Sequence, residues 1–194
     1  MSELPVFFAT TDGQTRRIAE AFAAHARFLG VDSHAIDVTS PEAAGFPWAP
    51  VRAVVLAASV HVGRHQAEAE AFVRRHRVEL NARPSMFLSV SLAISSRLPD
   101  EADSARKIAA AFPEQLGWRA GQVVCVAGRL AYTQYGLLKR FVMRRIAVKA
   151  GGPADTSRDH EMTDWDQVRD LAVAAADVHQ AVRVGGHALG QHVG

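Results

Sequence analysis

The residues best suited to chemistry are Thr10-Thr11-Asp12-Gly13-Gln14-Thr15, where an apolar run from Leu4 to Ala9 gives way to an amphipathic pattern starting near Gln14. At a strand-to-helix turn the first helical N–H groups lack intrahelical partners and the helix dipole adds partial positive charge. Hydroxyl-rich residues there suit an anion. Gly13 lets backbone and anion approach closely. The lysine of a triphosphate loop is absent, and so is the G-x-G-x-x-G spacing of a dinucleotide site, which makes a monophosphate the better ligand. Asp12 would repel an anion, so its carboxylate either caps the following helix or bonds hydroxyl groups of the ligand.

Two further groups end apolar runs and so belong to the same crevice. Ser59, Val60, His61 and Gly63 follow one run, and Ser89, Val90, Ser91, Leu92 and Ala93 close another. A third group is cationic and aromatic: Arg129, Tyr132, Tyr135, Lys139, Arg140, Arg144 and Arg145, interleaved with Leu137, Leu138, Phe141, Val142, Met143 and Ile146. Such a helix lies on an anionic membrane, pairs with an anionic substrate, or packs on its own domain with a solvated basic side. On a helical wheel Arg145 and Lys149 fall within the apolar arc and would have to snorkel.

Metal and hydrolytic chemistry find no support. His160-Glu161 is not followed by a second His four residues on, no G-x-S-x-G exists, and His61 and His65 straddle Gly63. Cys125 is alone within an apolar run, which excludes an intrachain disulfide and predicts a buried core thiol in a reducing cytosol. Trp48, Trp118 and Trp165 are expected to pack.

These groups need a scaffold, and the alternation of short apolar runs with helical patterns supplies one. Strands are expected at Leu4 to Thr10, Val31 to Val38, Val51 to Val60, Pro84 to Leu92 and Gln122 to Ala131. The first helix shows Ile18, Phe22, Ala26 and Leu29 on one face and Gly30 as a left-handed cap. Gln66 to Leu80 and Asp100 to Leu116 supply two more helices, Pro113 kinking or ending the latter early. The crossover from Thr39 to Pro50 has room for a turn of helix. Thr163 is expected to cap a final helix reaching about Val182. The fold class is therefore α/β, a doubly wound five-stranded parallel sheet of order 2-1-3-4-5, whose crevice lies at the C-terminal strand ends beside the first strand. The loops from Thr10 to Thr15, Ser59 to His65 and Ser89 to Ser96 meet there.

The chain has 194 residues, 48% hydrophobic and 22% charged, enough for one well-buried domain over residues 1–184, with an inserted helical segment at about 132–152 and a flexible tail at 185–194. A formal charge of +2 with nine histidines is too little to argue for nucleic acid. No apolar run reaches the ~20 residues of a membrane span, so membrane contact would be peripheral.

A resemblance gives these expectations a chemical name. The strand, T-x-x-G-x-T and helix resemble the phosphate loop of flavodoxins, which hold flavin mononucleotide (FMN). Five stretches carry a likeness along nearly the whole chain. They are Thr11 to Arg16 with Ile18-Ala19; Ala58-Ser59-Val60 through Gly63; Phe72 to His76 with Leu80-Asn81; Ala127 to Leu130; and Gly151-Gly152 through Asp155-Thr156 to Thr163-Asp164-Trp165-Asp166-Gln167-Val168. With these the chain resembles the menaquinone-dependent protoporphyrinogen oxidase (dehydrogenase) family, long-chain flavodoxin-like proteins with a helical insertion.

The resemblance implies FMN as cofactor, a porphyrinogen as substrate and a membrane quinone as electron acceptor, within heme synthesis. It implies a cytoplasmic protein in peripheral contact with the inner face of the membrane, and leaves the oligomeric state open, a homodimer included. Thr10 to Thr15 would take the phosphate; Ser59, Val60, His61 and Gly63 would border the flavin ring on one side and Ser89 to Ala93 on the other. No side chain need be a nucleophile; His61 is the candidate for stabilising charge on reduced flavin. Relatives tend to carry a basic residue and an aromatic where this chain has His61 and Val62. Alternatives on the same fold are an electron-carrier flavodoxin, an FMN-dependent quinone reductase and a regulatory module without flavin.

Overall fold

The computed structural model describes residues 3–130, 133, 148 and 155–188, the side chains of the last helix as far as residue 182. Val6, Phe7, Phe8 and Ala9 are all buried and form β1 (Val6–Ala9), a central strand whose alternate side chains feed two cores. Parallel partners flank it: β2 (Ala35–Asp37) on one side and β3 (Val54–His61) on the other.

A two-residue strand, β4 (Arg64–His65), folds back antiparallel onto β3. β5 (Ser85–Ser91) and β6 (Gln122–Ala127) continue the parallel sheet, giving the order β2-β1-β3-β5-β6. With the extra β4 set aside, this is the expected 2-1-3-4-5. The register pairs Ala9 with Ala58, Ser59 with Val90 and Ser91 with Ala127, so the C-terminal ends of the four strands form one edge.

Helices cover both faces. α1 (Gln14–Phe28) packs Ile18, Phe22 and Ala26 against Val6, Phe8 and Val55. Complete burial of Phe22 contributes roughly 2–3 kcal/mol. Gly30, at φ 78°, closes α1, its amide donating to Arg27 and that of Val31 to Ala26. Leu29, expected on the buried face, is 38% exposed because the helix has ended there.

The opposite face is covered by α2 (Pro41–Ala44), α3 (Ala67–Arg75), α4 (Arg77–Asn81) and α5 (Pro99–Gln115), through residues that include Phe72, Leu80 and Phe112. One helix was expected over Gln66 to Leu80. His76 breaks it, its ring accepting a 3.2 Å bond from Trp48 Nε1. Trp48 packs with Phe7, Phe46 and Phe72, as expected, and Trp118 donates to Ser85 Oγ. Pro113 lies in the last turn of α5, which runs two residues past it.

Two corrections concern the end of the sheet. The fifth long strand was expected to reach Ala131; it stops at Ala127, and β7 (Arg129–Leu130) leaves to pair antiparallel with β8 (His160–Glu161) in a separate ribbon. Cys125 is half-buried rather than buried, because β6 is the outer strand; partial burial still pushes its thiol pKa up.

The last helix, α6 (Trp165–Ala188), packs Val168, Leu171, Ala172 and Ala176 beside α1. Asp164, not Thr163, caps it: Asp164 Oδ1 accepts from the amides of Asp166 and Gln167 at 3.0 and 3.1 Å. α6 extends past the expected end at Val182 into the stretch expected to fray; residues 189–194 lie outside the described residues. So does the inserted segment, apart from Thr133 and Val148.

Candidate functional site

The turn from β1 to α1 has the backbone geometry that suits an anion. Thr10 Oγ1 accepts the Gly13 amide at 3.0 Å, curling the loop so that Gly13 becomes the N-cap of α1 at φ 80°. That left-handed conformation favours glycine, and no atom lies within 4 Å of where its Cβ would stand. The first turn of α1 carries no acidic residue of its own, so the helix's sequence does not neutralise the positive end of its dipole. Thr15 is 1% exposed and its buried Oγ1 has no hydrogen-bond partner among the described residues. A buried hydroxyl in that state is costly unless a ligand supplies the missing partner. The residues present therefore fit a phosphate.

Gln14 contributes differently from its neighbours. Its buried side-chain amide donates to Glu161 Oε1 at 2.7 Å and to Thr163 Oγ1 at 2.8 Å, and its Oε1 accepts from Arg17 at 3.1 Å. Only its backbone N–H is available to an anion. Thr163 in turn donates to the Ala127 carbonyl, and Arg17 pairs with Glu161 at 3.1 Å. The first turn of α1 is thereby tied to the ribbon and to the end of β6. Thr11 is exposed and Asp12 half-buried in the loop.

Ser59 to His65, expected as a loop, is a hairpin. β3 runs through Ser59, Val60 and His61, and Val62 and Gly63 turn it at φ 49° and 74°, pairing His61 with Arg64 and Val60 with His65. Two consecutive left-handed residues match the right-handed twist of a hairpin, but a β-branched residue there is strained. Val62 is also fully exposed at the tip. Side chains alternate along the strands, so His61 and Arg64 share one face and His65 the other.

His65 turns inward: it packs against Phe87 and Phe112, and its Nε2 meets Ser89 Oγ at 3.0 Å. Burial lowers its pKa to about 4, so the imidazole is neutral near pH 7. Ser89 and Val90 are thus interior residues of β5, while Ser91, Leu92 and Ala93 stand at its end, the last opening a short 3-10 turn.

Gln66, which the sequence did not single out, joins the two sides: its Nε2 donates to Thr11 Oγ1 at 3.0 Å and to Ser59 Oγ at 2.6 Å. Glu161 and His65 were missed as well, having been weighed only as metal ligands. No signal short of the fold would have revealed them, since each acts on a residue distant in sequence.

Arg129 lies on the ribbon, where its guanidinium pairs with Asp159 at 3.3 Å. Burial opposes ionisation of Asp159, but hydrogen bonds from Thr133 and the charge of Arg129 outweigh it and hold the pKa below the ordinary value. Arg129 is therefore engaged in structure. Tyr132, Tyr135, Lys139, Arg140, Arg144 and Arg145 lie outside the described residues. Among the described residues no His, Cys, Asp and Glu cluster could hold a metal, and no helix is long and apolar enough to cross a membrane.

Comparison with known proteins agrees with this geometry. The family model described as a flavodoxin domain matches residues 5–157. A protein of Escherichia coli (strain K12) named protoporphyrinogen IX dehydrogenase (quinone) is 34% identical over 170 residues, covering 86% of this chain and 91% of the relative. A Leishmania major protein of the same name is 29% identical over 178 residues, covering 91% of this chain and 76% of the relative. Among solved structures, a flavodoxin from the domain Archaea aligns with a TM-score of 0.53 at 14% identity, covering 92% of this chain and 99% of that one. Oxidised Flavodoxin 1 from Bacillus cereus aligns with a TM-score of 0.53 at 16% identity, covering 91% and 98%. These last two speak for the fold alone.

Proposed function

The chain belongs to the flavodoxin domain family, and within it to the group of proteins named protoporphyrinogen IX dehydrogenase (quinone); on that premise we propose that it catalyses the FMN-dependent oxidation of protoporphyrinogen IX to protoporphyrin IX, with a quinone as electron acceptor, in heme synthesis. The observation that carries this reading is the 34% identity to the Escherichia coli relative across 86% of this chain. The phosphate cradle supports it independently.

FMN, when bound, supplies the two-electron chemistry that none of the described side chains offers. The protein's own residues bind and orient. The amides at the start of α1 and the hydroxyls of Thr10, Thr11 and Thr15 hold the phosphate; Ser59, Val60 and His61 with Gly63 border the ring on one side, and Ser91, Leu92 and Ala93 on the other. Ser89 and Val90 support that edge from within β5. His61 would be placed to stabilise negative charge when FMN is bound there. Arg129 anchors the ribbon from which the inserted segment departs, and the basic and aromatic residues of that segment serve the anionic substrate or the membrane surface where the quinone resides. The reading places the protein in the cytoplasm, in peripheral contact with the membrane.

An electron-carrier flavodoxin is the second reading. Against it stand the mildly basic charge and the inserted segment, since such carriers are strongly acidic and dock on basic partners. Fluorescence titration with FMN and riboflavin tests the cofactor assignment: FMN is expected to bind far more tightly, and equal affinities would remove the phosphate site.

A further inference from the structure

The phosphate site at the start of α1 and the ring crevice between the ends of β3 and β5 are separated by the boundary between β1 and β3. One side chain spans that boundary. Gln66, the residue before α3, donates from Nε2 to Thr11 Oγ1 on the phosphate loop and to Ser59 Oγ near the end of β3. Its other polar atom, Oε1, is buried and has no hydrogen-bond partner among the described residues. Thr15 Oγ1, in the first turn of the adjoining helix, is in the same condition. Buried polar atoms without partners are rare in folded proteins, and each calls for an explanation, a bound group that the site closes around being one.

We propose that Gln66 is a binding residue for the hydroxylated chain of FMN, its free amide atom satisfied by a ribityl hydroxyl that crosses from the phosphate to the ring. The inference rests on the FMN reading above. It does not depend on which way the amide is turned. With oxygen and nitrogen exchanged, the hydroxyls of Thr11 and Ser59 donate instead of accepting, and an NH2 group is left open; a ribityl hydroxyl, both donor and acceptor, satisfies either arrangement. Gln66 thereby links three parts of the site: the phosphate loop, the strand that borders the ring, and the tether between phosphate and ring.

The test compares FMN with a flavin whose N10 chain ends in phosphate but lacks the ribityl hydroxyls, titrated by flavin fluorescence against wild type, Gln66→Met and Gln66→Glu. Wild type should prefer FMN. In Gln66→Met, of similar shape but without the polar amide, that preference should fall roughly tenfold, the scale of one buried hydrogen bond, while the analogue binds as it does to wild type. Gln66→Glu retains an acceptor and should retain the preference, whatever its added charge does to both ligands alike. An unchanged preference in Gln66→Met, or equal loss of both ligands, overturns the inference and leaves the FMN reading standing. Wild type that binds neither ligand overturns the FMN reading itself.

Discussion

Gly13 holds φ at 80°, which costs an L residue on the order of 1 kcal/mol, and the space beside its Cα is open. Gly13→Ala should lower stability in denaturant by about that amount, and, on the proposed phosphate site, should weaken FMN binding by more, because the methyl would enter the open space beside the first amides of α1. A variant destabilised but unimpaired in FMN titration would move the phosphate elsewhere.

His65 makes a second prediction at this scale. Its pKa is about 4 when folded and near 6.5 when free, so the unfolded chain binds the proton more readily. The stability of the neutral, buried form is complete above pH 6.5 and is lost as pH falls toward 4, by up to roughly 3 kcal/mol. His65→Phe, which keeps the packing with Phe87 and Phe112, should flatten that part of the urea stability profile between pH 7 and 4.5. At pH 7 it should cost about 1 kcal/mol for the Ser89 hydroxyl left behind. A profile parallel to wild type would refute the assignment. The strand-to-helix turn around Thr10 to Thr15 was legible because it is a local event; the bond from Gln66 to Thr11 was not, since it spans 55 positions.

Among the elements, the β7–β8 ribbon is the piece that departs from a plain alternation of strands and helices. The strand was read from Gln122 to Ala131 because Leu130 and Ala131 resume the apolar pattern after Gly128 and Arg129, and only pairing with His160 and Glu161 shows that the chain has left the sheet. The same tertiary pull took Thr163 from the cap position to a bond with Gln14, leaving the cap to Asp164. Glu161 is the pin of this arrangement, accepting from Gln14 and Arg17 across 147 and 144 positions. Glu161→Ala should cost about 1–2 kcal/mol, since the buried Gln14 amide loses a charged acceptor. Hydrogen exchange should quicken at Arg129 and Leu130 while β1 and β3 stay protected. Uniform change across the sheet would deny the ribbon its separate character.

For the whole molecule, the order of the parallel strands and the edge where their C-terminal ends meet followed from the alternation of apolar runs and helical patterns, because a doubly wound sheet leaves few arrangements for such a sequence. The break at His76 was hidden because its partner Trp48 lies 28 positions away, and the hairpin was hidden because Val62, a β-branched residue at φ 49°, is not the residue type that signals such a turn. On the proposed function, a flavin site acts together with a segment between residues 137 and 149 whose sequence is basic and apolar. The protein should sediment with anionic liposomes at low salt and be released at high salt, each basic residue near the surface contributing roughly 1 kcal/mol. Equal binding to neutral liposomes, or none, would return the segment to a packing role.

On the proposed function this scaffold oxidises a porphyrinogen and hands the electrons to a quinone. That reaction is tested most directly by mixing the FMN-loaded protein anaerobically with protoporphyrinogen IX and a menaquinone analogue while following porphyrin fluorescence. Fluorescence should rise in proportion to protein, require the quinone for more than a single burst, and be lost when FMN is withheld. Fluorescence no faster than in the protein-free control, with flavin reduced only when a nicotinamide donor is added, would contradict the proposed function and identify a reductase on the same fold.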